Sequence, residues 1–392
     1  MKGSTGVLAL TRLVWLRWFT MLGYSLSYVV VPALVFERTR SAALAGAALL
    51  AEGAIRALLA VLAGPAYSRL GSRGALLTAE VLRTAGLALL AFSLVKFWMP
   101  VVVVASLLYQ FGFSLLQLKQ ELRCAQLGDQ TSRCQFRFRL TELGVVPFVL
   151  LVAVAGRWAG APYGSLLAVA FIATLAQLTL GWLWLPVGGS RPAAEPVRLG
   201  QAASYLGASR KMVASIGATV LGFAFFAWAL SATPFVVQGR ELFGFALESP
   251  SGSALFKCLA AFVGMVATLS LPRLGGQATL GRLTAIGAMC IPSLFLAGLH
   301  VASAGLAVLF LSLGCALHMC LVSWQRAWRQ QLVPVEHRRG FTTLYLSLEV
   351  LGVSVAGLIL LSGQPTIVCA LATLLFVAFL APFFSQPLVL SQ

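Results

Sequence analysis

Charge is scarce in this chain of 392 residues, and aspartate is nearly missing from it. Only 10% of the residues are charged, whereas a typical soluble domain has about 25%. Asp129 is the only aspartate in the sequence. Since hydrolytic and acid–base sites are built largely from Asp, Glu and His, this composition argues against an enzyme.

Motifs of nucleotide-driven and hydrolytic proteins are also absent. The sequence contains no P-loop, which argues against an ATP-driven pump. It contains no nucleophile elbow, no H-E-x-x-H pair and no dinucleotide fingerprint. We therefore expect no cofactor.

Disulfides and metal sites are not indicated either. The seven cysteines fall in apolar segments or in loops that we assign to the cytoplasm, which is not a disulfide framework. Cys315 and His318 share a helix face, but Cys320 points elsewhere. A structural zinc site needs four ligands, so this segment alone predicts no metal site.

Long apolar runs dominate the sequence instead. Hydrophobic residues make up 59% of the chain, and the mean hydropathy is +0.92. About 20 apolar residues suffice for a membrane-spanning helix, and the runs lack the alternation of an outer-membrane barrel. We predict membrane spans at 13–35, 42–67, 74–95, 98–118, 138–157, 162–186, 210–237, 249–271, 279–298, 300–322, 340–362 and 364–385.

The net charge of +17 is best explained by membrane topology. With the N-terminus inside, most Lys and Arg residues fall in alternate loops, which follows the positive-inside rule and argues against nucleic-acid binding. Lys119, Arg326 and Arg329 are among the residues that we assign to these cytoplasmic segments. The first apolar run resembles a retained span rather than a cleaved signal. We therefore predict a multi-pass protein of the bacterial cytoplasmic (inner) membrane with both termini in the cytoplasm.

A polar stretch divides the twelve spans into two groups of six. Residues 187–209 are rich in Gly, Pro and Ser, which is typical of a flexible connector. Arg-Leu-Gly occurs at 69–71 and again at 273–275, in equivalent loops of the two groups. We predict an N-terminal six-helix bundle at 1–186, a cytoplasmic linker at 187–209 and a C-terminal bundle at 210–392.

The loop predicted between spans two and three carries a family motif. Its form is G-x-x-x-D-R-x-G-R-R/K, and here Gly64, Arg69, Gly71 and Arg73 match while Ser68 replaces the Asp. The sequence thus resembles the major facilitator superfamily. The resemblance implies an all-α membrane protein whose twelve helices form two pseudo-symmetric six-helix bundles. It also implies a charge-paired cytoplasmic latch at this loop, which here lacks one partner.

Two further segments resemble the enterobactin-exporter branch of that superfamily. They are the region around Arg40-Ser41-Ala42 and Arg83, and the stretch HRRGFTTLYLSLEVLG at 337–352. This resemblance implies export of a catechol-type siderophore or another metallophore. Span four has no arginine, and span five keeps Gly144 and Pro147 but not the closing glycines of the antiporter pattern. Proton-driven multidrug export is therefore not the expected activity.

Charged residues inside apolar spans are the main candidates for function, because a charge in the bilayer is costly. Glu52 and Arg56 lie one helical turn apart on the same face of span two. They could neutralise only each other, or they could line a cavity as a proton or cation site and an anion contact. Lys257 in span eight and Glu349 in span eleven could pair, and Lys257 could instead extend to the outer surface. Glu349 is the best single candidate for proton coupling.

Other residues are assigned to a cytoplasmic gate or to a cavity wall. Glu80, Arg83 and Glu142 join the motif residues at the predicted gate. Helix packing is the plainer explanation of the aromatic and amide residues, but as a set they favour a ring-bearing or amphipathic solute. These cavity candidates are Tyr24, Tyr28, Tyr109, Gln110, Gln117, Trp228 and Tyr345.

The sequence therefore predicts a monomeric secondary transporter in the lipid bilayer. Its small-molecule solute would bind between the halves and face each side alternately. The preferred hypothesis is export of a siderophore-like solute, with protons as the coupling ion. Import of a metal–chelate complex is one alternative, and a lipid flippase or a non-transporting membrane protein is another.

Overall fold

Most of the chain is described by a computed structural model. The model describes residues 2–39, 41–125, 131–184, 204, 210–236, 241–242, 245–246, 259, 262, 266, 290–301, 303–334, 338–361, 370 and 373–378. Most of the predicted linker and of spans eight and nine, much of span twelve, and Lys257 lie outside these residues.

Nearly all of the described residues are helical. The helices are α1 (Lys2–Thr39), α2 (Ala42–Val95), α3 (Met99–Ala125), α4 (Thr131–Trp158), α5 (Pro162–Trp184), α6 (Arg210–Val236), α7 (Ile291–His300), α8 (Ala304–Leu332) and α9 (Arg338–Leu361). After α6, two short antiparallel strands, β1 (Glu241–Leu242) and β2 (Phe245–Ala246), form a hairpin that the hydropathy pattern does not predict.

The helix starts follow ordinary capping chemistry. The Ser41 hydroxyl accepts a hydrogen bond from the Leu44 amide at 3.2 Å and begins α2. Ser303 caps α8 in the same way. Between α4 and α5, Gly160 has a φ of +68°, a conformation that favours glycine. These residues separate neighbouring spans where the apolar runs alone do not show a break.

Helix α2 covers two predicted spans in one continuous helical stretch of 54 residues. Residues 64–73, predicted as a loop, are helical. The helix must nevertheless bend back on itself. Arg56 and Arg83 would be about 40 Å apart in a straight helix, yet Arg56 contacts Tyr24 and an Nη of Arg83 lies 2.6 Å from a Cβ built on Gly23. We call residues 42–67 the first arm of α2 and residues 74–95 the second arm.

The second arm of α2 packs closely within the N-terminal part of the chain. A Cβ built on Gly86 would lie 2.7 Å from the carbonyl oxygen of Ala105 on α3, so only glycine fits there. In a bilayer, close backbone approach through small residues replaces the hydrophobic effect as the main source of helix association. A buried apolar cluster that includes Leu22, Tyr109 and Ala170 then joins α1, α3 and α5.

The first arm of α2 packs against the C-terminal part of the chain. A Cβ built on Gly53 would lie 2.5 Å from the hydroxyl oxygen of Ser354 on α9. The same hydroxyl donates a hydrogen bond to the carbonyl oxygen of Leu50 at 3.2 Å. The described helices before and after the predicted linker therefore meet directly at α2 and α9.

The predicted membrane character is confirmed in part. Among the described residues, four helical segments are long and apolar enough to cross a membrane: Arg73–Val95, Met99–Cys124, Tyr163–Trp184 and Gly340–Ile359. Shorter apolar segments lie in the first arm of α2 and in α4, α6 and α8. The count of twelve spans remains a prediction, since several of them fall outside the described residues.

Candidate functional site

Six buried charged side chains from five helices form a cluster. Three are arginines, three are glutamates, and none is more than 8% exposed. This charge cluster consists of Arg17 on α1, Glu121 on α3, Glu142 on α4, Arg326 and Arg329 on α8, and Glu349 on α9.

The part of the charge cluster that precedes the predicted linker is centred on Arg17. Arg17 donates to Glu142 from Nη2 at 2.5 Å and from Nε at 3.1 Å. Its Nη2 also lies 3.7 Å from Glu121. Glu121 in turn accepts a 2.6 Å hydrogen bond from the Gln135 amide. With one arginine and two glutamates, this part has a formal charge of −1.

The part that follows the linker is centred on Glu349. One carboxylate oxygen accepts from Arg326 at 2.5 and 3.0 Å, and the other accepts from Arg329 at 2.5 Å. Arg329 also donates to Thr219 on α6 at 3.0 Å. The ring of Tyr345 lies 5.0 Å from the Arg329 guanidinium carbon. With two arginines and one glutamate, this part has a formal charge of +1.

Within the part of the chain that the structure describes, the ion pair between Arg326 and Glu121 joins the two parts of the charge cluster. Arg326 Nη1 lies 3.6 Å from Glu121 Oε1, which is longer than the 2.5 Å contacts inside each part. Buried charges are tolerated only when they are paired, because removing them from water costs several kcal/mol each. Counted over the ion-paired side chains alone, the two parts have opposite formal charges, −1 and +1. Arg56, in the same half as Arg17, also interacts electrostatically with Glu142.

Sequence reasoning predicted Glu142 and Glu349 as site residues and missed the other four members of this cluster. Arg326 and Arg329 were assigned to a cytoplasmic loop, but α8 continues past the last apolar residues and buries both. Lys119 was assigned in the same way and is likewise buried, on α3. Arg17 and Glu121 were not among the predicted site residues. Among the described residues Glu349 contacts two arginines. Lys257 lies outside the described residues, so its pairing with Glu349 stays a prediction.

The predicted gate residues do not form one group. Glu80 and Arg83 pair with each other on the second arm at 2.9 and 3.1 Å, and both are buried. Arg83 also donates to the Tyr109 hydroxyl at 3.1 Å, halfway along α3. Arg73 lies 4.9 Å from the Trp182 ring on α5.

The remaining motif residues are described only in part. Gly64 is buried and Arg69 is exposed. The surroundings of Ser68 and Gly71 lie outside the described side chains. The signature stretch is therefore helical, and its latch role remains a prediction.

The predicted cavity residues are mostly buried. Tyr109, Gln110, Gln117, Trp228 and Tyr345 are all at most 9% exposed. Tyr24 is half-buried, and the side chains of Glu52 and Tyr28 lie outside the described set. The structure thus places these residues in the interior but does not show what they bind.

Arg56 has a different environment from the other buried arginines. Its Nη1 donates to the Tyr24 hydroxyl at 2.6 Å, and its guanidinium carbon lies 4.8 and 4.9 Å from the rings of Tyr24 and Phe113. Those two rings stack on each other at 4.3 Å. An arginine near the bilayer centre costs roughly 2.5–3.5 kcal/mol on insertion scales. Hydrogen bonding and ring contacts offset only part of such a cost.

His318 is buried on α8 between aromatic side chains of α6. Its ring lies 4.9 Å from that of Phe223 and 5.1 Å from that of Phe226. Within the part of the chain that the structure describes, no group of three or more His, Cys, Asp or Glu residues could hold a metal. Cys315 is buried one turn away, while the Cys320 side chain is outside the described set.

Comparison with known proteins identifies the fold. No protein-family model matches the sequence. No curated protein matches it at a significant level. Solved structures do match over almost the whole chain, at identities that show the fold alone.

The matching structures are transporters. FucP, a major facilitator superfamily transporter in its outward conformation, is 12% identical with a TM-score of 0.63, covering 97% of this chain and 99% of its own. A bacterial homologue of the iron transporter ferroportin, outward-facing, is 18% identical with a TM-score of 0.64 and coverages of 96% and 100%. The human organic anion transporter MFSD10 is 16% identical with a TM-score of 0.67 and coverages of 97% and 99%. The chain therefore has the fold of major facilitator superfamily transporters, which is not an enzyme fold.

Proposed function

We propose that this chain is a secondary transporter that moves a small molecule across the cytoplasmic membrane by alternating access. The observation that carries the proposal is the charge cluster, which joins helices on both sides of the predicted linker. In transporters of this kind, two bundles rock about a central solute site. A balanced ionic contact between bundles gives one end a closed state that opening must break.

The end that holds the charge cluster faces the cytoplasm in this proposal. The predicted excess of Lys and Arg in the loops at this end supports the orientation. It places both termini and the linker 187–209 inside the cell. The motif residues 64–73 and the pair of Glu80 and Arg83 belong to the same half of the protein as Arg17 and Glu142.

Proton coupling is proposed to act through carboxylates of the buried spans. Glu349 is held by two arginines, Arg326 and Arg329. Opening of the Glu121–Arg326 contact would free Arg326 to move away from Glu349. Glu52 is the second candidate, by its position in the first arm of α2.

The solute is proposed to be a siderophore or metallophore that leaves the cell. Support comes from the resemblance of residues around 40–83 and 337–352 to the enterobactin-exporter branch. The structural neighbours carry fucose, iron or organic anions by their names, so the shared fold alone selects no solute. The aromatic and amide residues of the predicted cavity suit a ring-bearing chelator.

Everted membrane vesicles test this function directly. Vesicles containing the wild-type chain should accumulate a radiolabelled catechol siderophore against its gradient, and a protonophore should abolish the accumulation. Glu349→Gln should lose uphill transport. Because it also leaves Arg326 and Arg329 without their carboxylate, the comparison uses vesicles with equal amounts of folded protein. If Glu349→Gln and Glu52→Gln both keep uphill transport and its pH dependence, proton coupling through these residues is wrong. Accumulation only in right-side-out vesicles would show import instead of export.

A further inference from the structure

Arg56 differs from every other buried arginine that the structure describes. Arg17, Arg83, Arg326 and Arg329 each have a glutamate oxygen at 2.5–2.9 Å. For Arg56, no carboxylate of a described side chain lies within ion-pair distance, although it is only 8% exposed. Its Nε is buried without a hydrogen-bond partner. The Arg56 guanidinium group therefore has a spare donor and no ion pair with a described side chain. Glu142 interacts with it electrostatically from beyond ion-pair distance, and the side chain of Glu52, one turn earlier, lies outside the described set.

The surroundings of Arg56 are fixed rather than loose. The Tyr24 hydroxyl holds one guanidinium nitrogen, and the stacked rings of Tyr24 and Phe113 lie beside the guanidinium group. Tyr24 itself is half-buried, so the site is closed on the side of α3 but not entirely sealed. A guanidinium group positioned in this way can present its remaining N–H groups to a carboxylate or phosphate oxygen.

Arg56 also lies close to the meeting place of the two halves. Gly53, one turn earlier on the same arm, packs against Ser354 of α9. Solutes of transporters with this architecture bind between the halves near the midplane. The Arg56 guanidinium group is therefore next to the region where a solute would bind, and not at a helix end.

From these contacts we propose that Arg56 is the anion-binding residue of the solute site, and that the transported solute carries a carboxylate or another anionic oxygen group. This inference rests on the proposed transport function. Tyr24 and Phe113 act as positioning residues that hold the guanidinium group beside the cavity. The anion supplies the negative charge that the other buried arginines receive from glutamates.

Binding to the detergent-purified full chain tests the inference without any transport measurement. The probes are protocatechuate and its neutral amide, which share the catechol ring and differ in the negative charge. The wild-type chain should bind the carboxylate about tenfold more tightly, the effect of one charge-assisted hydrogen bond. Arg56→Gln should abolish the preference, whereas Arg56→Lys should keep part of it because the charge remains.

Thermal stability separates this role from a purely structural one. Without ligand, Arg56→Met should melt at the same or a higher temperature than the wild type, because it removes a buried charge that has no ion pair with a described side chain. Arg83→Met is the matched control on the other arm and should melt lower, because it leaves Glu80 buried without its ion-pair partner. Lower melting of Arg56→Met, comparable to that of Arg83→Met, would contradict the proposal.

The outcomes also separate this inference from the proposed function. A wild type without preference for the carboxylate, whether it binds both probes equally or neither, overturns the anion site. A preference that survives in Arg56→Gln overturns it as well. Uphill transport of a neutral solute would leave the transport function intact and reject Arg56 as the anion contact, whereas anion binding without any transport would reject the transport function alone.

Discussion

The two arms of α2 place a buried arginine in similar surroundings but neutralise it differently. Arg83 on the second arm pairs with Glu80 one turn away and with the Tyr109 hydroxyl. Arg56 on the first arm has the Tyr24 hydroxyl and the Phe113 ring, but no carboxylate of a described side chain lies within ion-pair distance of it. The Nε atoms of both arginines are buried without a hydrogen-bond partner. Tyr109 and Phe113 are one turn apart on α3. Arg83, which is paired within its own helix, stabilises the fold. Arg56, which has no carboxylate partner among the described side chains, is available to a ligand.

The arms also differ in what they pack against. The second arm contacts α3 through Gly86, within the same half of the chain. The first arm contacts α9 at Ser354, across the two halves. A movement of the halves therefore changes the surroundings of the first arm and leaves those of the second arm unchanged. Substitutions in the two arms should accordingly affect stability and transport to different degrees.

The largest effect is expected on the second arm, from Glu80→Gln. This change leaves Arg83 as a buried charge with only a phenol partner and should lower the free energy of unfolding by about 3–5 kcal/mol. Unfolding in mixed SDS micelles measures it. The double variant Glu80→Met with Arg83→Met should recover most of the loss, since both charges are removed. A loss below about 1 kcal/mol for Glu80→Gln would show that the pair does not stabilise this arm.

A smaller effect is expected at the contact of the first arm with α9. Gly53→Ala places a methyl group against Ser354 and should destabilise the closed packing by about 1–3 kcal/mol. In an open helix position the same substitution stabilises by about 0.5–1 kcal/mol. Gly144→Ala is the matched control, because a Cβ built on Gly144 meets nothing within 4 Å. If the two variants change the free energy of unfolding equally in the same assay, the tight contact between α2 and α9 is contradicted.

The smallest effect on stability is expected from removing the hydroxyl group of Tyr24 or of Tyr109, the tyrosines that contact Arg56 and Arg83. Tyr24→Phe removes the described hydrogen-bond acceptor of Arg56, whereas Tyr109→Phe leaves Arg83 bound to Glu80. Hydrogen bonds to charged groups contribute about 1.5–3 kcal/mol, so Tyr24→Phe should cost about 1 kcal/mol more than Tyr109→Phe. Thermal unfolding of both variants measures the difference. A larger loss for Tyr109→Phe would mean that Arg83 depends on the phenol more than on the carboxylate.

Much of the fold follows from the apolar runs, but the pairing of charges does not. Helix α8 extends to Leu332 although its apolar run ends about ten residues earlier, because Arg326 and Arg329 are paired within the protein. The hydropathy pattern assigns these two residues to a loop because they are charged. Glu121 and Arg326 are separated by 205 residues, and no local spacing in one sequence brings such a pair together. The Glu80–Arg83 pair is local, and the sequence could therefore reveal it.

The bend of α2 is a second feature that could not be predicted from the sequence. Two apolar runs predict two spans, and the two arms have those bounds. The motif between them contains glycines, a proline and charges, which predict a loop, yet residues 64–73 remain helical. The reversal of direction becomes visible only through the contacts of Arg56 and Arg83 with neighbouring residues of α1.

The central claim is that opposite charges on the two halves close one end of the transporter, and charge reversal tests it most directly. Glu121→Lys makes both parts of the charge cluster +1, and Arg326→Glu makes both parts −1. The two changes together restore opposite charges on the two halves. Spin labels at Arg123, in the last turn of α3, and at Pro334, just after α8, report the separation in a background without the seven native cysteines.

Double electron–electron resonance in liposomes then gives the distance between these labels. The account predicts a short main distance for the background chain, a shift to longer distances in each single variant, and a return to the short distance in the double variant. Single variants that keep the short distance, or a double variant that stays as open as the single ones, would contradict it.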